Sequence, residues 1–362
     1  MASRTPLYER HLAAGGRMVE FAGWLMPQQY SSVKQEQEAV RTRAGVFDVS
    51  HMGRFQVEGE QAEALLQRLV TNDVGRLEEN RAQYNLMCLV TGGIVDDLVV
   101  YRGEGSWTVV VNASNRGKDL VWMEQHAPAG TAIVDRTAEI GLLAVQGPQA
   151  EQRLPASEVD LAAIPYFGLS PGRVAGVECT VSRTGYTGED GFELFVPAEQ
   201  LAQVWDGLLE AGVTPCGLAA RDVLRLEAGL RLYGNDMDET VNPYEAGLGW
   251  TVRLKKGEFI GRAALEQVKA QGPERVLVGL EGSDRTIPRH GAQVTRQGRQ
   301  VGVVTSGTYS FWLGKGVGMA LVAASEAEPG GQVEIEGRGG RASAQIAQLP
   351  FYRGSVRQAS RT

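Results

Sequence analysis

Asp96 and Asp97 stand side by side inside Ile94–Tyr101, a stretch that is otherwise almost wholly apolar. In an extended strand, alternation puts Val95, Asp97, Val99 and Tyr101 on one face and Ile94, Asp96, Leu98 and Val100 on the other. At least one carboxylate must then share an apolar face. Burying an unpaired charge is costly, so such a group is paired, protonated near neutral pH, or turned to a ligand pocket. A carboxyl in that state can take up and release protons during a reaction. A solvated strand end would explain the same pair without chemistry.

A second set of reactive types lies between Gly185 and Glu239. It opens with G-Y-T-G-E-D-G-F-E (Gly185 to Glu193) and continues through A-A-R-D-V-L-R-L-E-A-G-L-R-L-Y-G-N-D-M-D-E (Ala219 to Glu239). The glycine density of the first block suits a turn where backbone approaches a ligand or another strand closely. Glu193 begins an alternating strand, and Arg221 lies on the first turn of an amphipathic helix. A carboxylate and an arginine can together clamp the donor and acceptor edge of a pterin or purine. They can equally form a structural ion pair holding strand to helix. With Tyr84, Tyr101, Tyr166, Phe167, Tyr186 and Trp250 nearby in the pattern, the set suits a planar, polar heteroaromatic partner better than a phosphate.

Other chemistries are disfavoured. The glycine block fits neither a phosphate-binding G-x-x-x-x-G-K-[ST] loop nor a dinucleotide G-x-G-x-x-G turn. No G-x-S-x-G elbow occurs. His51 could serve as a base, but a satisfied structural histidine is the simpler reading. The histidines at 11, 51, 126 and 290 and the cysteines at 88, 179 and 216 have no ligand spacing, so neither a metal site nor a disulfide framework is expected. A net charge of −7 argues against nucleic acid. The absence of a long apolar run argues against a membrane span, and the cytoplasm is the expected compartment.

The elements that must position these residues follow from periodicity. Helices are predicted over 60–70, with Ala62, Leu65, Leu66 and Leu69 on one stripe, and over 198–210, 219–230 and 262–270. Strands over 84–90, 94–101 and 107–112 form a meander, joined by Thr91-Gly92-Gly93 and Gly103-Glu104-Gly105. With 362 residues more than one core is expected. The first part is α+β. Gln271-Gly272-Pro273-Glu274 marks the best linker, so residues 1–272 form one region and 273–362 another. Beyond the linker, short strands over 276–280, 301–305, 316–322 and 332–335 suggest a β-barrel or sandwich.

The blocks F-D-V-S-H-M-G (Phe47 to Gly53), G-G-I-V-D-D-L-V-V-Y (Gly92 to Tyr101), G-Y-T-G-E-D-G-F-E, G-L-A-A-R-D-V-L-R-L-E-A-G-L (Gly217 to Leu230) and Y-G-N-D-M-D-E (Tyr233 to Glu239) resemble the aminomethyltransferase, or T-protein, family of the glycine cleavage system. V-T-S-G (Val304 to Gly307) and P-F-Y-R (Pro350 to Arg353) extend the likeness almost to the end of the chain. The resemblance implies a three-domain folate-binding cloverleaf, with two interwoven α+β domains and a C-terminal β-barrel. It implies transfer of an aminomethyl group from the lipoyl arm of H-protein to tetrahydrofolate within the glycine cleavage complex, giving 5,10-methylenetetrahydrofolate and ammonia, with no metal. By the same resemblance Asp97 is the catalytic carboxylate. Met52, Tyr84, Tyr101, Tyr186, Glu193, Arg221 and Arg357 are implied to contact the folate, and Phe167 stands where some relatives carry a tyrosine. Other members of the fold are alternatives: tetrahydrofolate-dependent demethylases, and iron–sulfur maintenance factors. The K-G-C-Y-x-G-Q-E signature of those factors is missing, and the corresponding corner reads Leu230-Arg231-Leu232-Tyr233-Gly234-Asn235-Asp236.

Overall fold

Three sheets share the first 215 residues of the chain, a small one of Ser3–Arg4, Trp24–Gln29 and Arg17–Phe21 and two larger ones, and a closed barrel follows them. A computed structural model describes residues 2–155, 157–283, 285–337 and 340–356. The five-stranded sheet is antiparallel, in the order Arg81–Cys88, Ile94–Gly103, Ser106–Val111, Gly53–Glu58, Ala132–Asp135. The six-stranded sheet runs Leu169–Val174, Val177–Ser182, Gly191–Pro197, Ile140–Gln146, Gly45–Asp48, Thr214–Pro215, with only the last pair parallel. The chain lays Gly45–Asp48 in the six-stranded sheet, builds all of the five-stranded one, and then returns. The two α+β halves are therefore interwoven.

The predicted stripes are buried where expected. Ala62, Leu65, Leu66 and Leu69 of the Ala62–Leu69 helix pack under the five-stranded sheet with Phe55, Val100 and Val109. Leu201, Val204, Trp205 and Leu208 of the Leu201–Glu210 helix close the core of the six-stranded sheet. Between the two sheets, Phe47, Tyr101, Val110, Leu142, Ala144 and Leu224 form a third core. The helix expected over 219–230 spans Leu218–Glu227. It stops early because Gly229 takes a φ of 68°, a left-handed conformation that ends helices readily.

Strand alternation needs one correction. Met87 pairs with Asp96 and Cys88 with Ile94, so Val95 is an extra residue and the strand bulges there. Val95 consequently packs in the same core as Leu98 and Val100, not on the Asp97 face. From Asp96 to Tyr101 the alternation holds.

The barrel closes in the order Arg275–Gly282, Lys315–Ala323, Arg299–Ser310, Gln293–Arg296, Gln332–Gly337, Gly340–Ala347, the last strand pairing with the first. Gln293–Arg296 and Gly340–Ala347 are polar enough to have escaped the sequence pattern. Helix Arg262–Gln271 leads to exposed Gly272, three residues before the first barrel strand. Buried charges tie the barrel to the α+β part. Arg225 donates to Asp236 at 2.6 Å and to the Ser306 hydroxyl at 2.8 Å, and Thr305 donates to Asp236 at 2.6 Å. Glu227 accepts from Arg41 Nη2 at 2.6 Å, from Gln37 and from Ser310. After the barrel, the chain returns to the glycine block, where Ser355 N donates to Glu189 at 2.9 Å. No helix among the described residues is long and apolar enough to cross a membrane.

Candidate active site

The Ile94–Gly103 strand separates its two acids as alternation requires. Asp96 is fully buried and accepts from Asn112 N at 3.1 Å, Asn112 Nδ2 at 2.9 Å and Asn115 Nδ2 at 2.6 Å. Asp97 is half-buried on the opposite face. Its Oδ2 accepts from the Tyr84 hydroxyl at 2.9 Å, and its Oδ1 from Asn112 Nδ2 at 2.7 Å. Burial, followed by the neighbouring Asp96 charge, pushes Asp97 up to about 7 against the opposing hydrogen bonds from Tyr84 and Asn112. A carboxyl poised there can act as acid or base near neutral pH.

Hairpin geometry puts these partners together. Leu86 faces Asp97 across one ladder, which sets Tyr84 diagonally beside the acid. Across the other ladder, Gly103 pairs with Ser106 and Leu98 with Val111, so Asn112 follows opposite Asp97. No pattern in the sequence singles out Asn112, although the Gly103–Ser106 turn carries the register that places it there. Trp250, half-exposed on a short helical turn, stacks on Tyr84 with centroids 5.9 Å apart and 25° between planes.

The six-stranded sheet supplies the other polar edge. Glu193 Oε2 accepts from the Tyr101 hydroxyl at 3.3 Å and from Thr184. Tyr186 donates to the Arg231 carbonyl, and its ring lies 4.7 Å from the Arg221 guanidinium carbon. Among the described residues no ion pair within 4.0 Å links Glu193 to Arg221. Arg221 Nη1 is buried without a hydrogen-bond partner, as is His51 Nδ1. A guanidinium donor left open beside an aromatic face fits a ligand acceptor better than a structural pair. Burial holds His51 down to about 4, which keeps its ring neutral at pH 7 and leaves it a packing role against Phe21.

Met52 packs beside Tyr101, Phe167 and Phe195 in the core between the sheets. Phe167 has a φ of 58°, and its backbone bridges the sheets by donating to the Arg183 carbonyl and accepting from Ala82 N. Arg357 lies outside the described residues. Close by, Arg353 lines a cavity of about 190 Å³ together with Tyr166, Thr184, Gly185 and Glu189. That cavity adjoins the Glu193 end of the site and not Asp97. Asp97, Tyr84, Tyr186, Arg221 and Arg231 form one electrostatic neighbourhood, since each of the two tyrosines feels Asp97 and an arginine. The assembled donors, carboxylates and rings fit a planar molecule with a hydrogen-bonding edge, as tetrahydrofolate has.

Comparisons with known proteins agree with the geometry. Residues 7–256 match the model of the GCVT N-terminal domain, and residues 275–353 that of the glycine cleavage T-protein C-terminal barrel domain. The aminomethyltransferase of Geobacillus kaustophilus strain HTA426 is 50% identical over 98% of this chain and 99% of that protein. The aminomethyltransferase of Bacillus subtilis strain 168 is 45% identical over 98% of this chain and 100% of that protein. The crystal structure of glycine cleavage system aminomethyltransferase T from Bartonella henselae superposes with a TM-score of 0.93 at 33% identity, covering 99% of this chain and 100% of that one. This chain belongs to the aminomethyltransferase, or glycine cleavage T-protein, family.

Proposed function

We propose that the chain moves an aminomethyl group from the lipoyl arm of H-protein to tetrahydrofolate in the cytoplasm, yielding 5,10-methylenetetrahydrofolate, ammonia and the dihydrolipoyl arm. The observation that carries this reading is Asp97: half-buried, gripped through both oxygens, and raised to about 7 beside a set of aromatic and polar groups. The folate supplies the two nitrogens that accept the carbon, so no protein nucleophile is required.

The residues of this chain handle position and protons. Glu193 from the six-stranded sheet and Arg221 from the helix Leu218–Glu227 would clamp the polar edge of the pterin. Tyr84, Tyr186 and Trp250 would line its faces and exclude water. Bond changes at the carbon release two N–H protons; one ends on the lipoyl sulfur, and one on the departing ammonia. Asp97 can accept the first and return it, because both of its protonation states are accessible near pH 7. While ionised, it also faces and stabilises any cationic charge that develops on the transferred carbon. Tyr84 and Asn112 hold the carboxylate plane through that cycle.

The test is to supply aminomethyl-loaded H-protein and tetrahydrofolate to the purified chain and follow methylenetetrahydrofolate and ammonia together. Equal yields of the two products are expected. Folate binding without transfer would overturn the proposal and favour a folate-dependent maintenance factor.

A further inference from the structure

Asp119 is a buried acid that the reaction as described does not use. It sits on the helix Arg116–His126 and is fully buried. Neither of its carboxyl oxygens meets a donor among the described residues. The carboxyl of Asp96 lies beside it, where Asn115 at the start of the same helix also reaches. Two carboxylates cannot share a hydrogen bond unless one of them carries a proton. Asp96 already accepts three N–H groups, from Asn112 N, Asn112 Nδ2 and Asn115 Nδ2. The donor-rich partner is the one stabilised as the anion, and the donor-free partner is the one stabilised as the acid.

We propose that Asp119 is a protonated carboxyl that donates to Asp96 and thereby positions the charge that governs Asp97. The line of contact runs Asp119, Asp96, Asn112, Asp97, with Asn112 Nδ2 bonded to both aspartates of the strand. Burial and the Asp96 charge push Asp119 up to about 10, in accord with the geometry. Asn115 fits the same purpose. It occupies the N-cap of the helix, yet its side chain makes no cap bond and is turned to Asp96 instead.

The surrounding charges leave this assignment intact. Asp96 and Asp97 act on Asp119 from the strand, and Lys118 from its own helix. Lys118 Nζ is engaged elsewhere, donating to the Val95 carbonyl, the Tyr233 hydroxyl and Glu239. Arg116 pairs with Asp135 of the neighbouring strand at 2.7 Å. The Ala62–Leu69 helix buries only Ala62, Leu65, Leu66 and Leu69 on its core side. Asp119 thus acts through another residue and touches no substrate. Its importance for turnover rests on the reading of Asp97 as the proton-handling group.

The experiment compares full-length Asp119→Leu and Asp119→Asn with the unmodified chain in two readouts. Infrared spectra near pH 8.5, between about 7 for Asp97 and about 10 for Asp119, should show a protonated-carboxyl band that is absent from both Asp119 variants and kept in Asp97→Asn. Single-turnover rates against pH, with loaded H-protein and tetrahydrofolate, form the second readout. Asp119→Leu should lose roughly 10- to 100-fold, the scale of a misplaced catalytic group. Its pH limb should also move to higher pH, because the Asp96 charge loses a donor that offsets it and opposes ionisation of Asp97 more strongly. Asp119→Asn, a neutral donor of the same size, should restore the rate to within a few-fold with the limb in place. A missing band, or an Asn variant as impaired as the Leu one, overturns the proposal. If Asp97→Asn itself keeps wild-type turnover, the reading of Asp97 fails, and the infrared band alone then decides the assignment of the proton to Asp119.

Discussion

The Tyr101 hydroxyl donates to Glu193 Oε2 at 3.3 Å, joining a strand of the five-stranded sheet to one of the six-stranded sheet. Tyr101 lies on the same strand face as Asp97, past the bulge at Val95. The bond therefore couples the position of the acid on one sheet to that of the carboxylate on the other. The two halves of the proposed ligand site, built from separate sheets, are joined by this side-chain contact and the core around it.

Asp97→Asn should cut turnover on the order of 10²–10⁴ while the fold persists, because the amide keeps size and hydrogen-bonding reach but cannot take a proton. Asp96→Asn should instead destabilise. Its new NH₂ group would face amide donors of Asn112 and Asn115 inside a buried site, a mismatch of about 1–3 kcal/mol. Single-turnover rates beside urea unfolding separate the two effects. Equal turnover in Asp97→Asn and wild type would remove Asp97 from the mechanism.

Arg221→Ala should weaken tetrahydrofolate binding more than it lowers ligand-free stability. The buried Nη1 has no partner to lose within the protein, whereas a charge-assisted bond to ligand contributes about 1.5–3 kcal/mol, or roughly 10- to 100-fold in affinity. Calorimetric titration and thermal unfolding on the same variant test this. Intact affinity with a large drop in melting temperature would make Arg221 structural.

Stability should depend on pH through Asp97. The group sits at about 7 in the fold, against about 3.9 in the unfolded chain. The native state binds that proton more tightly, so its contribution is full below about pH 4 and is lost as pH rises through 7. Asp97→Asn removes the loss. The variant should gain on the order of 4 kcal/mol relative to wild type between pH 4 and pH 8. Urea unfolding at the two pH values is the measurement, and a constant difference would contradict the shift.

Protease should cut first at 271–275, where exposed Gly272 links the last helix to the barrel. The nicked halves should stay together, because Arg225, Asp236, Glu227 and Ser310 bond across the junction. Glu227→Ala leaves Arg41 with Glu189 as its remaining carboxylate, a buried break that costs about 3–5 kcal/mol. Gel filtration after nicking should show separation only in that variant. Early cleavage inside Val301 to Val322 would put the boundary elsewhere.

The sequence by itself determined what is local. Helix stripes such as Leu201, Val204, Trp205 and Leu208 are legible because burial repeats with the helical turn. The turn after Gly103 sets a register that places Asn112 opposite Asp97, and alternation puts Asp96 and Asp97 on opposite faces. The family blocks pointed to the site residues one by one. Tertiary structure decided how they meet. The Val95 bulge depends on how the strand pairs with Met87 and Cys88, which no period reveals. Whether Glu193 and Arg221 pair or stand apart was open in the sequence; packing of helix against sheet holds them beyond ion-pair reach and leaves Arg221 Nη1 open. Asp119 carried no signal at all, since one aspartate on a helix is ordinary until its neighbour in space is known to be a second buried carboxyl. Contacts between residues distant in the chain are fixed by the docking of whole sheets and helices, and that docking is a property of the folded core, not of any short stretch of sequence.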